Sequence, residues 1–270
     1  MATDEKDGDF GRRAGAPAGR DFVRRGSVVR RVWGDADMVL LIFAGSAAEF
    51  ALNRAVDWLF FTNKLPADPI GRLFSTVRYA QDLVFVGEDE ARRTMARINA
   101  AHAAVERARG RAIPAWAYRD VLYMLVDYTE RVHGVLRRPL SAAEREELYA
   151  DFRRVGEGLN VTELPADYRG WRDDRARHLA RDLAYTGHTG LLYAQYRKHL
   201  GEWRYQILLH AQALVAPERV RRLLRLRRRP LFAALAGGYG QLAGLGLRPL
   251  VRRLLIQPQY LGEVQKFDRA

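Results

Sequence analysis

Helix start signals recur along this chain, and no stretch of it alternates apolar β-branched and polar residues as a strand would. Asp35 can cap a helix from about Ala36 to Phe61. Asp68-Pro69 puts proline in a first helical turn, where its missing N–H costs nothing, and predicts a helix to about Val86. Gly87 ends that segment, and another helix follows from Glu88 to about Gly110. Pro114 opens the next, through Val132, and Ser141-Ala142-Ala143-Glu144 has reciprocal capping spacing for a helix to about Gly156. Leu164-Pro165-Ala166-Asp167 is a turn that starts a helix containing Trp171. Gly187, His188 and Gly190 mark a break, followed by helical stretches at about Leu191–Val215 and Pro217–Arg228. Beyond Pro230 the run Gly237-Gly238-Tyr239-Gly240 interrupts the pattern, and Leu247–Ile256 is a last candidate helix. With no internal repeat and no long linker, the expectation is one all-α domain over residues 31–270. A mobile, aperiodic arm at 1–30 precedes it.

Composition narrows the chemistry. The 270 residues include no cysteine, which excludes disulfides, zinc–thiolate sites, iron–sulfur clusters, cysteine nucleophiles and thiolate-ligated haem. Any metal has to be held by histidine or carboxylate. The net charge is +13, and only Lys6, Lys64, Lys198 and Lys266 are lysines, so 41 of the 45 basic residues are arginines. Such a charge attracts phosphates and anionic lipid at low salt. No nucleic-acid-binding motif accompanies it, so no specific nucleic-acid partner is expected. The most apolar stretch, Met38 to Leu52, contains Glu49 and is too short for a membrane span. No long apolar run follows the N-terminal arginines as in a signal peptide, and a soluble, cytoplasmic protein is expected.

A few residues stand out as chemically loaded. In the Glu88–Val105 segment the apolar positions Met95, Ile98, Ala101 and Val105 recur at helical spacing, and His102 falls within that stripe. An imidazole there needs a buried polar partner, a water or a metal. Arg72 and Thr76, four residues apart, share a helix face. They can anchor a carboxylate or polarise a bound oxygen species, or Arg72 can pair with an acid while Thr76 bonds back to its own helix. Glu49 is the only ionisable residue between Met38 and Asn53, with Asn53 and Asp57 following at four-residue steps. It can act as a buried acid–base group or form a structural pair with an arginine.

His133, His178, His188, His199 and His210 form no HxxxH or HExxH pair, so local spacing supports no multi-histidine metal site. A group needing one protein ligand, such as haem b on a single axial histidine, stays open. Asp173-Asp174 is the only adjacent acid pair of the kind a magnesium-dependent isoprenoid cyclase would use, and its spacing is poor for that purpose. Phe43, Phe50, Trp58, Phe60, Phe61, Tyr118 and Tyr123 are available either to line a pocket or to pack a core. The basic run Arg219–Arg229 is either a solvated helix face whose leucines point inward or a weak peripheral contact for an anionic membrane.

The ordered set Asp68-Pro69-Ile70-Gly71-Arg72-Leu73-Phe74-Ser75-Thr76, Phe85-Val86-Gly87 and Ala101-His102-Ala103-Ala104-Val105 resembles the MpaB-type and rubber-oxygenase (latex clearing protein) family. The similarity continues through Pro139–Arg145 and Gly158–Ala166 and covers about residues 31–175. The resemblance implies a globin-like all-α fold enclosing haem b, with His102 as the proximal iron ligand and Arg72 and Thr76 holding or orienting the haem. It implies an oxygenase or oxidase that uses dioxygen on a hydrophobic, isoprenoid- or polyketide-like small molecule, with Glu49 matched to a family base. A haem sensor or carrier without turnover would share the same ligand. Two positions depart from the family pattern: Leu52-Asn53-Arg54 stands where many bacterial relatives have Ala-His-Pro, and Tyr123 where they often have tryptophan.

Overall fold

Side-chain caps mark where several helices begin. The computed structural model describes residues 20–61, 68–244 and 256–269, with Pro249, Arg252 and Arg253. Ser27 caps α1 (Val28–Trp33), and the Asp35 carboxylate accepts from Asp37 N and Met38 N to start α2 (Ala36–Phe50). After a short α3 (Asp57–Phe61), Asp68 caps α4 (Pro69–Phe85) by accepting from Gly71 N. Three acids in its first turn and two arginines in its last align α5 (Glu88–Arg109) with its dipole, and Gly110 at φ 66° closes it. Then come α6 (Ala115–Leu136), α7 (Ala142–Gly158) with the expected Ser141/Glu144 capping box, and α8 (Tyr168–Arg181) capped by Asp167. The chain continues as α9 (Gly187–Leu200), α10 (Glu202–Val215), α11 (Glu218–Leu223), α12 (Pro230–Gly244) and α13 (Pro258–Gln265). Two isolated β-bridges, Asp21–Gly87 and Asn53–Leu183, are the extended pairings among the described residues. The all-α expectation holds.

The centre of the molecule is the packing of α2 on α6, with α10 laid against α2. Gly45 permits that approach: a Cβ there would sit 2.3 Å from a Tyr128 ring carbon and 2.7 Å from Val215. Trp33, Ile42, Tyr123, Tyr128, Leu148 and Trp171 are buried in this core. No helix among the described residues is long and apolar enough to cross a membrane.

Four local readings change. Residues 20–30 do not behave as an arm, because Phe22, Val23, Val28 and Val29 are buried in the main core; residues 1–19 lie outside the described residues. The single helix expected over 36–61 stops at Phe50. Asn53 accepts from Ala55 N in a tight turn, while Ala184 N donates to Leu52 O and Arg54 N to Asp182 O. The break expected around Gly187–Gly190 lies just ahead of it, between Arg181 and Gly187, where Thr186 and Thr189 form the start of α9, and a second break at Gly201 (φ 72°) splits the helix expected over 191–215. The glycine-rich stretch after Pro230 is helical, and the helix expected at Leu247–Ile256 lies largely outside the described residues.

Candidate functional site

Two polar centres form, and they use different parts of the sequence. The first surrounds His102. The buried face of α5 carries Ala91, Thr94 and Met95, with Ile98, His102 and Val105 half-buried further along, while Ala101 turns out to solvent. The His102 ring packs on Tyr118 of α6, centroids 5.1 Å apart. Burial lowers its pKa below the ordinary histidine value, and the Arg72 charge adds to this while Glu106 opposes it. Burial thus favours the neutral imidazole, which has a lone pair to offer. Glu106, one turn further along α5, accepts from Tyr118 Oη at 3.2 Å and Ile113 N at 2.8 Å. That pins the turn between α5 and α6. Burial and the Glu106 charge raise the Tyr118 pKa, so its phenol stays protonated.

Arg72 and Thr76 are exposed on α4, and Thr76 Oγ1 donates to Arg72 O at 2.9 Å. The back-bonded alternative for Thr76 is thus the one realised. The Arg72 guanidinium makes no ion pair among the described residues and lies close enough to His102 to influence its charge. Nearby, Arg109 at the end of α5 lies 4.0 Å over the Trp58 ring and pairs with Asp57 at 2.7 Å, tying α3 to α5.

The second centre is buried between α2, α6 and α8. Glu49, 0% exposed, receives Arg175 Nη1 at 2.6 Å and Nη2 at 2.7 Å, and Tyr128 Oη at 3.1 Å. Arg175 also donates to Asp127 at 2.9 and 3.0 Å and lies 3.5 Å from Asp120. Burial works against its charge, but Glu49 and Asp127 hold its pKa well above the ordinary arginine value. Asp120 accepts from Asn53 Nδ2, and its other oxygen lies 3.7 Å from His178 Nδ1, which is 3.0 Å from Asp182. Burial, then repulsion from Glu49, pushes the Asp120 pKa up to about 7 against the pull of Arg175.

The Glu49–Asn53–Asp57 strip is divided by the turn after Phe50. Glu49 and Asn53 reach this centre, whereas Asp57 goes to Arg109. The structural pairing of Glu49 is the one that forms, and none of its hydrogen-bond partners bonds His102. Asp173 is exposed while Asp174 accepts from Tyr123 and Arg177, so the acid pair does not face one ligand.

A model of the ER-bound oxygenase mpaB/B'/rubber oxygenase catalytic domain matches residues 30–245. The chain belongs to the mpaB/rubber oxygenase family. Its class is therefore that of an oxygenase, and the match extends well past the 31–175 region where the resemblance was legible. No curated protein and no solved structure matches the chain significantly.

Among the described residues no group of three His, Asp or Glu side chains is arranged to hold a bare metal ion. What the His102 region offers is a single half-buried imidazole, with the Arg72 guanidinium, which makes no ion pair among the described residues, close enough to act on its charge. The expected aromatic lining is dispersed. Tyr118 meets His102, Trp58 meets Arg109, Phe60 meets His188, Phe43 packs on Trp33, and Tyr123 is buried against Trp171 and His178. Arg175, Asp120, Asp127 and His178 escaped the sequence reading. For Arg175 and His178 the signal was the spacing Trp171, Arg175, His178, Asp182, a stripe at helical period.

Proposed function

We propose that this member of the mpaB/rubber oxygenase family is a haem-b-dependent oxygenase or oxidase that uses dioxygen on a hydrophobic small molecule, with His102 as the residue that would hold the haem iron. The observation that carries this is the half-buried imidazole of His102, packed on Tyr118, in a chain whose family is an oxygenase family. Haem, when bound, supplies dioxygen binding and redox chemistry. The protein's contribution is placement. Burial favours the neutral form of His102, and Tyr118, itself held by Glu106, fixes the imidazole ring by packing. Arg72 offers its guanidinium to a propionate, and Thr76 stiffens the turn that presents it by bonding to Arg72 O. Glu49 is assigned to holding Arg175 and, through it, the α2–α6–α8 core, rather than to moving a proton at the haem.

The test is an absorption spectrum of the purified, haem-reconstituted protein, ferric and then dithionite-reduced with carbon monoxide. A Soret band that shifts with carbon monoxide is expected, and His102→Ala should abolish it or convert it to that of free haem. Absence of the band in the wild type, or its persistence unchanged in His102→Ala, overturns the assignment. Oxygen uptake dependent on an added isoprenoid separates an oxygenase from a carrier.

A further inference from the structure

Helix α12 is charge-free from Pro230 to Gly244, yet its outer side is exposed. Leu231 is 66% and Leu235 52% exposed, one turn apart on a face that also exposes Ala234. The inner side is fixed by Phe232, whose ring stacks on His210 of α10 at 3.9 Å. Such a helix would normally be buried all round, and at 1.5 Å per residue it is roughly 22 Å long, too short to span a bilayer of about 30 Å.

The segment leading into it is the most one-sided in charge of the chain. From Trp203 to Gly262 the sole acid is Glu218, against eleven arginines. Arg222, Arg225, Arg227, Arg228 and Arg229 are exposed. Arg222 reaches Glu218 at 3.6 Å, and Arg228 caps the end of α10 by donating to Ala213 O and Leu214 O. Arg225, Arg227 and Arg229 make no ion pair or side-chain hydrogen bond among the described residues. A band of free guanidinium groups thus runs directly into a pair of exposed leucines.

We infer that the Arg222–Arg229 segment and the Leu231/Leu235 face of α12 form a docking surface for an anionic lipid bilayer. Lipid phosphates meet the planar, weakly hydrated guanidinium groups with bidentate hydrogen bonds, and the leucines enter the acyl boundary beside them. Both features are needed to choose this occupant. A nucleic-acid backbone would leave the leucines stranded against phosphate, and a second copy of the chain would bring one arginine band against another. The inference is independent of the haem reading.

The experiment is flotation of the full chain with vesicles of phosphatidylcholine alone or mixed with phosphatidylserine, at low and moderate salt. The chain should float with the anionic vesicles and not with pure phosphatidylcholine. At about fivefold per arginine near the surface, R225Q/R227Q/R229Q should lower partition about a hundredfold. L231S/L235S should lower it at least about tenfold and leave the salt dependence in place. R111Q/R169Q/R172Q removes the same charge from other exposed positions and should stay within about threefold of wild type, with far-UV circular dichroism verifying the fold of each variant. The docking surface is overturned if the wild type ignores anionic vesicles. It is equally overturned if the charge-matched control loses as much as the triple variant, if duplex nucleic acid binds where vesicles do not, or if the leucine pair instead drives a dimer in sedimentation.

Discussion

Replacing Arg175 with methionine tests the buried centre most directly. The Arg175 residue is 3% exposed and supplies two short hydrogen bonds to Glu49 and two to Asp127, with Asp120 at 3.5 Å. Methionine fills much of the volume but leaves Glu49 wholly buried with only the Tyr128 hydroxyl, while Asp127 keeps Arg131 at 2.6 Å. Removing one partner of a buried ion pair costs about 3–5 kcal/mol, because the remaining charge is left in a medium that cannot solvate it. At about 2–4 °C per kcal/mol for a domain of this size, Tm should fall by about 6–20 °C. Urea unfolding followed by far-UV circular dichroism measures the free energy. Adding Glu49→Gln to Arg175→Met should return at least about 1 kcal/mol, since the stranded charge is gone and the amide still bonds Tyr128. An Arg175→Met protein within about 1 kcal/mol of wild type would falsify the view that this arginine organises the core. A Soret band that disappears in Glu49→Gln alone, with the fold intact, would sink the separation of Glu49 from the haem.

Asp120→Asn reads the pH dependence of the same centre. A buried carboxyl raised from 3.8 to about 7 contributes stability that is full below its unfolded pKa and is lost as pH rises through its folded one. Relative to wild type, Asp120→Asn should therefore gain stability progressively between about pH 4 and pH 7. Thermal melts across that window check this, and parallel pH profiles for the two proteins would refute it. Gly45→Ala should cost about 1–3 kcal/mol by driving a methyl group into the Tyr128 ring, measured as a lower urea midpoint. Arg72→Ala should leave the Soret position unchanged and speed haem transfer to apomyoglobin about two- to fivefold, the scale of one exposed charge pair. Ser141→Ala should cost about 1 kcal/mol through loss of the capping box that starts α7.

Helix starts were legible because capping is local: Asp35, Asp68, Ser141 and Asp167 act on amides two or three residues away, and each begins the helix its position predicts. The half-buried face of α5 was legible for the same reason, since periodicity alone places Met95, Ile98 and His102 together. Local signals failed where a distant strand of backbone competed. The helix after Asp35 ends early because Asn53 and its neighbours bond to the Asp182–Ala184 segment, about 130 residues on. Glycine spacing found the break ahead of α9 to within a few residues but missed a second one, where the positive φ of Gly201 splits the helix expected over 191–215.

The sequence by itself therefore determined the class of fold, the family, and the offering of one histidine and one arginine on adjacent helices. Helical period and capping chemistry are properties of neighbouring residues, and they survive any change in global packing. What Glu49 does was decided only by tertiary structure. Its spacing allowed a proton carrier or an ion-pair partner, and the answer lay in Arg175, which is 126 residues away and meets it only once α8 folds against α2 and α6. A buried carboxylate has no role until something arrives to neutralise it, and which side chain arrives is a fact of packing.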